Sequence, residues 1–270
     1  MEAIYDVIIV GATPEGIELA KKLSATNKKI IIISSKFYTT VDCENVSQLE
    51  AEVVFLSYIR GLIGANVIQG NSKGIIYGTN LVLATGTKPI KTSLRNPNIR
   101  YKALDIPGKH KSEPAVIYGN TEEAASYALD LAKRFCYVYF CTKDFELNCS
   151  KRLQKKINET ANIVHLPGCN IMSCKNDKDG KLAEVTLDTY ATITTTALIF
   201  ALGRIPDMPN FARRFIDIDK DGFADIKEFN ESKLVPGIYA IGSLCRTKAK
   251  KDITKLATHL ITKGGQENAR

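Results

Sequence analysis

Two β-α-β patterns constrain the fold of this chain more than any other feature. In the first, the apolar run at residues 5–10 (YDVIIV) ends at Gly11, and a helical pattern (PEGIELAKKLS) and a second apolar run (KKIIIIS) follow. The same order returns at residues 114–141, as PAVIYG, TEEAASYALDLAKRF and CYVYFC. Apolar runs without alternation are typical of strands buried on both faces of a parallel sheet. The sequence therefore predicts two α/β domains with parallel sheets.

The remaining segments are predicted to complete these domains. The 270 residues suffice for two modest domains with separate cores. Between the two β-α-β patterns we expect a helix near residues 47–63 and a short strand at 66–69. Beyond them we expect a helix at KRLQKKINET, a β-meander ending in a buried strand, another buried strand at 237–242 and a final helix near 252–263.

The composition is ordinary for a globular protein. Hydrophobic residues make up 44% and charged residues 24% of the chain. No apolar run approaches the roughly 20 residues that a membrane-spanning helix needs. The first residues, MEAIYDVIIVGA, carry acids before the apolar run and so do not resemble a signal peptide. We expect a cytoplasmic protein without a membrane partner.

Seven cysteines are present, and none belongs to a C-x-x-C pair. This argues against a zinc ribbon and against a redox-active dithiol of the usual spacing. The segment GCNIMSC could bring Cys169 and Cys174 together. Cys245 is interpreted as a small residue filling a gap between helix and sheet rather than as a reactive thiol. The three histidines, His110, His165 and His259, lack the spacing of a metal site.

A glycine turn follows the first strand of each β-α-β pattern. Such a turn points backbone N–H groups and the positive end of the helix at a phosphate, and glycines permit its close approach. Residues 11–16 (GATPEG) keep the first and third glycines of G-x-G-x-x-G and have Thr13 in place of the second. Residues 119–124 (GNTEEA) again have threonine in the middle, with alanine in the third place. Each turn alone is weak evidence, because a tight strand-to-helix turn needs glycine with or without a ligand.

Three further segments accompany the turns in a specific order: LATGTKP at 83–89, ALGRIPD at 201–207 and VPGIYAIGS at 235–243. The whole set resembles the two-domain flavoprotein pyridine nucleotide-disulfide oxidoreductases, and the layout looks most like that of the thioredoxin reductases. The resemblance covers nearly the whole chain. It implies an α/β protein of two Rossmann-like, three-layer domains in the thioredoxin reductase arrangement, the second inserted in the first, and a homodimer.

The resemblance also implies where cofactors would bind. An FAD-binding domain would comprise residues 1–110 and 208–270, and an NAD(P)-binding domain would comprise residues 111–207. The residues implied at FAD are Gly11, Thr13, Pro14, Gly16, Ser34, Ser35, Ala84, Thr85, Gly86, Gly242 and Ser243. Those implied at the nicotinamide dinucleotide are Gly119, Thr121, Glu122, Glu123 and Lys143.

The sequence departs from the family where the chemistry takes place. The family usually ends its second strand with an acid that binds ribose hydroxyls, and here Ser34 and Ser35 stand there, while Ser243 replaces an aspartate. The arginines that would hold a 2′-phosphate are absent, which leaves Lys143 as the cation of CTKD. The region that carries C-x-x-C in thioredoxin reductases reads YKALDIPGKHK, so exchange with a disulfide through that dithiol is lost.

Two hypotheses of function follow. In the first, the chain is a flavoprotein that binds FAD and transfers electrons or hydride without a cysteine relay. Its electron donor would be NAD(P)H at the second site or an acidic electron-carrier protein. In the second, the chain is a non-catalytic relative that binds a nucleotide or a partner protein. The sequence leaves open whether the second domain holds a nicotinamide, another nucleotide or nothing.

The net charge of +8 is concentrated in two segments. Such clusters attract nucleotide phosphates, acidic proteins or nucleic acid, and they are equally compatible with a solvated face. Nucleic acid is the least favoured, because no reading module and no interleaved aromatic residues accompany them. The clustered residues are Lys88, Lys91, Arg95, Arg100, Lys102, Lys109 and Lys111, and then Arg246, Lys248, Lys250, Lys251 and Lys255.

Residues 217–228, DIDKDGFADIKE, match the spacing of a calcium-binding loop. A calcium hand also needs a helix on each side, yet the chain continues through NESKLVPG into a buried strand. No second loop accompanies it, and Ala224 stands where a larger aliphatic residue would pair two hands. We expect a hairpin here, with Gly222 supplying the positive φ of the turn.

Overall fold

The computed structural model describes residues 4–246 and 252–267. The chain forms two compact units: unit 1 comprises Met1–Lys88 and Ile205–Arg270, and unit 2 comprises Pro89–Arg204. Residues 89–110 lie in unit 2, whereas the family resemblance implied that the first domain extends to residue 110. The reason is that the strand Ile99–Arg100 pairs with Ala197–Phe200 of unit 2. Within the described ranges, no helix is long and apolar enough to cross a membrane.

The helices and strands follow in chain order. Up to the crossing into unit 2 they are β1 (Ile4–Val10), α1 (Pro14–Ser24), β2 (Ile30–Ser34), β3 (Val46–Glu50), β4 (Glu52–Ile59), β5 (Leu62–Gln69), β6 (Ser72–Leu83) and β7 (Thr87–Pro89). In unit 2 they are β8 (Ile99–Arg100), β9 (Ala115–Tyr118), α2 (Glu122–Ala132), β10 (Val138–Thr142), α3 (Lys151–Glu159), β11 (Ile163–Pro167), β12 (Ile171–Asn176), β13 (Leu182–Leu187), β14 (Thr192–Thr194) and β15 (Ala197–Phe200). The last are β16 (Arg204–Pro206), β17 (Asp217–Ile218), β18 (Ala224–Asp225), β19 (Ile238–Ala240) and α4 (Ile253–Glu267).

Unit 1 is built around a seven-stranded mixed sheet. Strands β3, β2, β1 and β6 are neighbours and parallel, and β19 pairs in parallel with β6. Strands β5 and β4 continue the sheet beyond β6 in antiparallel order. Helices α1 and α4 cover one face, where Leu19, Leu23 and Leu256 pack in one buried cluster. The first predicted β-α-β unit is therefore confirmed.

The helix predicted near residues 47–63 is wrong. This segment forms β3 and the β4–β5 hairpin, which turns at Arg60 and Gly61, both with positive φ. A bulge in β4 lies between Val53 and Phe55, so the buried residues Val53 and Leu56 are three positions apart. The bulge thus imitates a helical period, whereas the β-branched run and the Arg-Gly pair are signals of a hairpin.

Unit 2 is built on a five-stranded parallel sheet in the order β11-β10-β9-β15-β8. On one face, α2 and α3 contribute Leu131 and Ile157 to a buried cluster. On the other face, the antiparallel sheet β12-β13-β14 contributes Val185 and Leu187. The predicted meander is thus divided, since β13 and β14 pair antiparallel while β15 joins the parallel sheet. Both units have the Rossmann-like character predicted from the sequence.

The calcium-like segment forms the predicted hairpin. Strands β17 and β18 pair antiparallel, and Gly222 has a φ of +84° in the turn. Asp219 accepts hydrogen bonds from the backbone N–H groups of Asp221 and Phe223. The guanidinium of Arg246 forms ion pairs with Asp219 at 2.7 Å and with Asp221 at 2.5 Å. Two carboxylates that imitate calcium ligands are therefore held by an arginine.

Candidate functional site

Each unit has one strand whose two neighbours are reached in opposite directions along the sheet. In unit 1, β1 leads through α1 to β2 on one side, while β6 lies on its other side. In unit 2, β9 leads through α2 to β10, while β15 lies on its other side. Open α/β sheets bind ligands at such switch points, outside the carboxyl ends of the strands. The turns after β1 and β9 are therefore the candidate sites.

The first glycine of each turn is required by the fold itself. Gly11 has a φ of +104°, and a Cβ atom there would lie 2.3 Å from the carbonyl oxygen of Ala84. Gly119 has a φ of +149°, and its Cβ atom would lie 2.2 Å from the carbonyl oxygen of Ala201. A Cβ atom on Gly16 would lie 2.9 Å from that of Ala84. These glycines let the turn pack on the neighbouring strand, so their presence alone does not identify a ligand.

The threonine in each turn caps the helix that follows. The Oγ1 atom of Thr13 accepts a hydrogen bond from the N–H of Gly16 at 3.3 Å. The Oγ1 atom of Thr121 accepts one from the N–H of Ala124 at 3.0 Å. A phosphate bound at a helix N-terminus uses donors of this kind. Each threonine side chain therefore occupies a backbone N–H group. If glycine stood in its place, that N–H group would be free to bind a ligand.

Other predicted residues of unit 1 meet at its turn. A Cβ atom on Gly86 would lie 2.9 Å from Cγ2 of Thr13, so the A-T-G segment packs on the turn. A Cβ atom on Gly242 would lie 2.9 Å from Cδ and 3.2 Å from Oε2 of Glu15. The turn, the A-T-G segment and the end of β19 therefore form one cluster. Pro14 begins α1 at its edge.

The predicted hydroxyl residues of unit 1 lie along the same edge of the sheet. Ser34 ends β2, and its hydroxyl donates to the carbonyl of Lys36 at 2.9 Å, while Ser35 is exposed. The hydroxyl of Thr85 donates to the carbonyl of Asp207 at 2.7 Å. Ser243 is half-buried in the short 3-10 helix after β19. The parallel strands thus bring together side chains that are far apart in the sequence.

The turn of unit 2 is tied to the loop that follows β10. The side-chain amide of Asn120 donates to Asp144 Oδ2 and to the carbonyl of Glu146, both at 2.9 Å. Its Oδ1 atom accepts from the N–H of Asn148 at 2.7 Å. Lys143, at the start of this loop, is exposed. All the hydrogen-bonding atoms of the Asn120 amide are thus paired within the chain.

The two acids that begin α2 are also held by the chain itself. Glu122 accepts hydrogen bonds from the N–H and the hydroxyl of Ser150, each at 2.8 Å. Glu123 accepts one from the hydroxyl of Tyr127 at 2.7 Å and lies 3.5 Å from Arg204. Burial and the bond to Glu123 raise the pKa of Tyr127 far above its ordinary value. The carboxylate of Glu123 is therefore placed by a phenol and a guanidinium.

Several of these partners were not predicted from the sequence. Both turns read G-x-T-x-E, and this repeat could have identified Glu15 as the counterpart of Glu123. No comparable signal marks Asn120 and Tyr127, because their partners depend on tertiary contacts. Arg204 belongs to the motif ALGRIPD, but the sequence did not indicate that it pairs with Glu123.

The cysteines are all free thiols. Cys245 is buried in the core of unit 1, in agreement with its interpretation as a filling residue. Cys169 lies in a buried cluster against which Cys174 also packs, so the approach that the segment GCNIMSC could bring about stays open. Cys141 belongs to the same cluster, and the thiol of Cys169 donates to the carbonyl of Leu166 at 3.1 Å. Over residues 4–246 and 252–267, no three His, Cys, Asp or Glu side chains are arranged to hold a metal ion.

Several cations of the two basic segments are paired with acids. Lys88 lies 3.1 Å from Asp207, and Lys255 lies 3.4 Å from Asp252. Arg246 is bound to the hairpin described above. Three further predicted cations lie outside the described residues: Lys248, Lys250 and Lys251.

A chain with two such switch-point turns belongs, by its fold, to the class of proteins with paired dinucleotide-binding-type domains. Residues 44–264 match the model of the pyridine nucleotide-disulphide oxidoreductases, and the chain belongs to this family. It is 22% identical to a thioredoxin reductase of Bacillus subtilis over 94% of this chain and 90% of that one. It is 24% identical to a thioredoxin reductase of Debaryomyces hansenii over 55% of this chain and 47% of that one.

Solved thioredoxin reductases share the fold. The enzyme of T. acidophilum superposes with a TM-score of 0.79 at 16% identity, covering 97% of this chain and 99% of that one. The Lactococcus lactis enzyme gives a TM-score of 0.78 at 16% identity, covering 96% and 98%. The prediction of a thioredoxin reductase-like member of this family is confirmed.

Proposed function

We propose that unit 1 binds FAD at the switch point beside β1 and β6, and that the protein transfers electrons or hydride without a C-x-x-C dithiol. The observation that carries this proposal is the cluster of Gly11, Thr13, Glu15, Gly86 and Gly242 at the carboxyl ends of three parallel strands. These residues lie where a doubly wound sheet binds its ligand, in a chain of a flavoprotein family.

The residues of unit 1 fit an adenine dinucleotide. A diphosphate can bind at the glycine turn after β1 and the N-terminus of α1. The hydroxyls of Ser34 and Ser35 at the end of β2 replace the usual acid as partners for ribose hydroxyl groups. Their fit is weaker than a carboxylate's, since a serine accepts fewer hydrogen bonds than an ionised acid.

We propose a specific role for Glu15. Ser243 stands where the family has an aspartate, and the Glu15 carboxylate lies against the preceding residue, Gly242. An acid supplied by α1 would then accept hydroxyl hydrogen bonds from the flavin's ribityl chain. FAD, when bound, would supply a ring that accepts and releases a hydride or single electrons. The chain's residues bind and orient it, and no thiol relay of the usual spacing carries the electrons onward.

A second candidate function is favoured by unit 2. Asn120, Glu122 and Glu123 are all hydrogen-bonded within the chain at the place where a nicotinamide dinucleotide would bind. A dinucleotide would have to break these bonds and approach two carboxylates. In this candidate, unit 2 takes up no nicotinamide, and the chain is either reduced by an acidic carrier protein or is a non-catalytic relative that binds a nucleotide or a partner protein. The cytoplasmic location and the homodimer also remain proposals.

The experiment that separates these candidates uses the purified full chain. A flavoprotein is yellow, and heat releases a flavin that chromatography identifies as FAD. If the protein is flavin-loaded, anaerobic addition of NADH or NADPH tests unit 2. Bleaching would show that a nicotinamide reaches the flavin, while a persistent yellow colour supports a carrier-protein donor. A colourless protein that takes up no FAD on titration would leave only the non-catalytic candidate.

A further inference from the structure

Two cysteines that are distant in the sequence meet inside unit 2. Cys141 lies in β10, and Cys169 follows the end of β11. The N–H of Cys169 donates to the carbonyl of Thr142 at 3.0 Å, so the two backbone segments are adjacent. Both side chains are buried in the same cluster, and the thiol of Cys169 donates to the carbonyl of Leu166 at 3.1 Å. The fold therefore brings together two thiols that do not belong to a C-x-x-C motif.

Only one of these two thiols lines a neighbouring cavity. The cavity has a volume of about 540 Å³, and Cys169 forms part of its wall, whereas Cys141 does not. Strands β10, β11, β13 and β14 supply most of the remaining wall. The lining is mainly apolar and includes Tyr139, Leu166, Leu187 and Ile193. A small molecule in the cavity would reach Cys169, and Cys141 lies in the same buried cluster as Cys169.

We propose that Cys169 and Cys141 form a redox pair, in which Cys169 reacts with a small uncharged hydroperoxide in the cavity and Cys141 completes a disulfide. The apolar lining favours an uncharged oxidant, since a charged one would lose its hydration on entry. A pair of this kind is a redox site separate from the FAD site of unit 1. The inference stands whether or not the chain binds FAD.

The chemistry balances in two steps. The Cys169 thiolate attacks one oxygen of the hydroperoxide, the O–O bond breaks, and an alcohol leaves with a proton while a sulfenic acid remains on Cys169. The Cys141 thiolate then attacks that sulfur, the S–O bond breaks, and hydroxide leaves as water after taking a proton. Two thiols lose two electrons in total, and the hydroperoxide gains them. Two equivalents of an external thiol can reduce the disulfide back to the two cysteine thiols by disulfide exchange and leave as an external disulfide.

The surroundings of the pair predict how fast it reacts. Burial raises the pKa of Cys141 and of Cys169, and the negative charge of Asp188 raises that of Cys169 further. Tyr118 also faces the pair, and its own pKa is raised by burial and by Cys169. Only the thiolate is nucleophilic. Oxidation should therefore be slow at neutral pH and accelerate as the pH rises toward the thiol pKa values.

The test treats the native full chain with cumene hydroperoxide, blocks the remaining thiols with N-ethylmaleimide in denaturant, and maps the products by mass spectrometry. Trypsin leaves Cys136 with Cys141 in one peptide, 135–143, and Cys169 with Cys174 in another, 157–175. We expect these peptides to be joined with the loss of two hydrogens, and fragment spectra to assign the bond to Cys141 and Cys169. Alkylation of both Cys141 and Cys169 after oxidation would overturn the proposal.

Variants make the assignment independent of the spectra. Cys136→Ala and Cys174→Ala are matched controls and should retain the cross-link. Cys169→Ala should abolish it and leave Cys141 open to alkylation. A cross-link that survives in Cys169→Ala would assign the oxidation to Cys174 and overturn the proposal. Circular dichroism establishes that each variant is folded, and the mapping of the unsubstituted chain decides the question if one is not.

Discussion

The side chain of Glu15 lies against the backbone of Gly242, with its Oε2 atom 3.2 Å from where a Cβ atom on that glycine would stand. Glu15 lies in the first turn of the helix after the first strand, and Gly242 follows the last strand of the same sheet. The contact places a carboxylate beside Ser243, the position where the sequence lacks the family's acid. Substitutions at this contact therefore test whether unit 1 binds FAD.

Replacing Glu15 should weaken FAD binding. If its carboxylate accepts hydroxyl groups of the ligand, Glu15→Ala should raise the FAD dissociation constant about 10-fold or more, the value of a hydrogen bond to a charged group. Glu18→Ala is the control, because Glu18 lies on the same helix and pairs with Lys22. Fluorescence titration of the apo-proteins with FAD measures both. Tighter binding by Glu15→Ala would show instead that the carboxylate repels the diphosphate.

Replacing the capping threonine by glycine should strengthen FAD binding. Thr13→Gly frees the N–H of Gly16 for a phosphate and should cost the helix only roughly 0.5 kcal/mol. Thr121→Gly makes the same change in unit 2 and should leave the FAD affinity unchanged. The same titration compares both variants with the original chain. Unchanged or weaker binding by a folded Thr13→Gly would argue that no phosphate sits at this helix.

Replacing Gly242 by alanine should lower the free energy of unfolding for two separable reasons. The residue has a φ of +66°, and its Cβ atom would meet Glu15. Gly222, with a φ of +84°, is the matched control because a Cβ atom there would meet nothing within 4 Å. Gly222→Ala should lose about 1 kcal/mol of unfolding free energy from its φ alone. Urea unfolding should show a larger loss for Gly242→Ala, and equal losses would mean that Glu15 moves aside freely.

The stability of unit 1 should depend on Glu231 at acidic pH. Desolvation acts to raise the pKa of this carboxyl, but the N–H of Gly237 and the ammonium groups of Lys227 and Lys263 outweigh it and hold the pKa below its ordinary value. A carboxyl whose pKa is depressed in the folded protein stabilises the fold at pH values above its pKa in the unfolded chain, about 4.3. This stabilisation is lost as the pH falls through the pKa of the folded protein.

Glu231→Gln should therefore lose roughly 1–3 kcal/mol of unfolding free energy at neutral pH and show a shallower loss of stability in acid. Glu228→Gln is the control, since Glu228 is exposed nearby. Urea unfolding at a series of pH values measures both. If the unfolding free energies of Glu231→Gln and of the original chain fall in parallel as the pH is lowered, this carboxyl does not control the loss of stability in acid.

Local patterns were sufficient for the buried parallel strands of the two β-α-β units and for the turns within them. The buried runs from Ile30 to Ile33 and from Ala115 to Ile117 report their parallel strands directly, because both faces of such strands are covered. The β4–β5 hairpin failed as a prediction because its bulge spaces Val53 and Leu56 like residues of a helix. A bulge is set by pairing with the neighbouring strand, and periodicity does not record that pairing.

The partners of the functional side chains depend on strand order, which the sequence does not state. Gly242 meets Glu15 because β19 lies beside β6, and β6 lies beside β1. Cys141 meets Cys169 because β10 and β11 pair in parallel. The resemblance implied Gly242 as a cofactor residue, whereas for Cys169 the sequence suggested only an approach to Cys174, five positions along the chain.

FAD binding by unit 1 can be measured directly on the purified protein. The full chain is purified without added flavin, its visible spectrum is recorded, and the stripped protein is titrated with FAD and, separately, with FMN. A dinucleotide site at the turn after β1 predicts a flavin spectrum or saturable uptake of FAD, with much weaker uptake of FMN, which lacks the adenylate. A colourless protein that takes up neither flavin, or that prefers FMN, would show that unit 1 is not an FAD site.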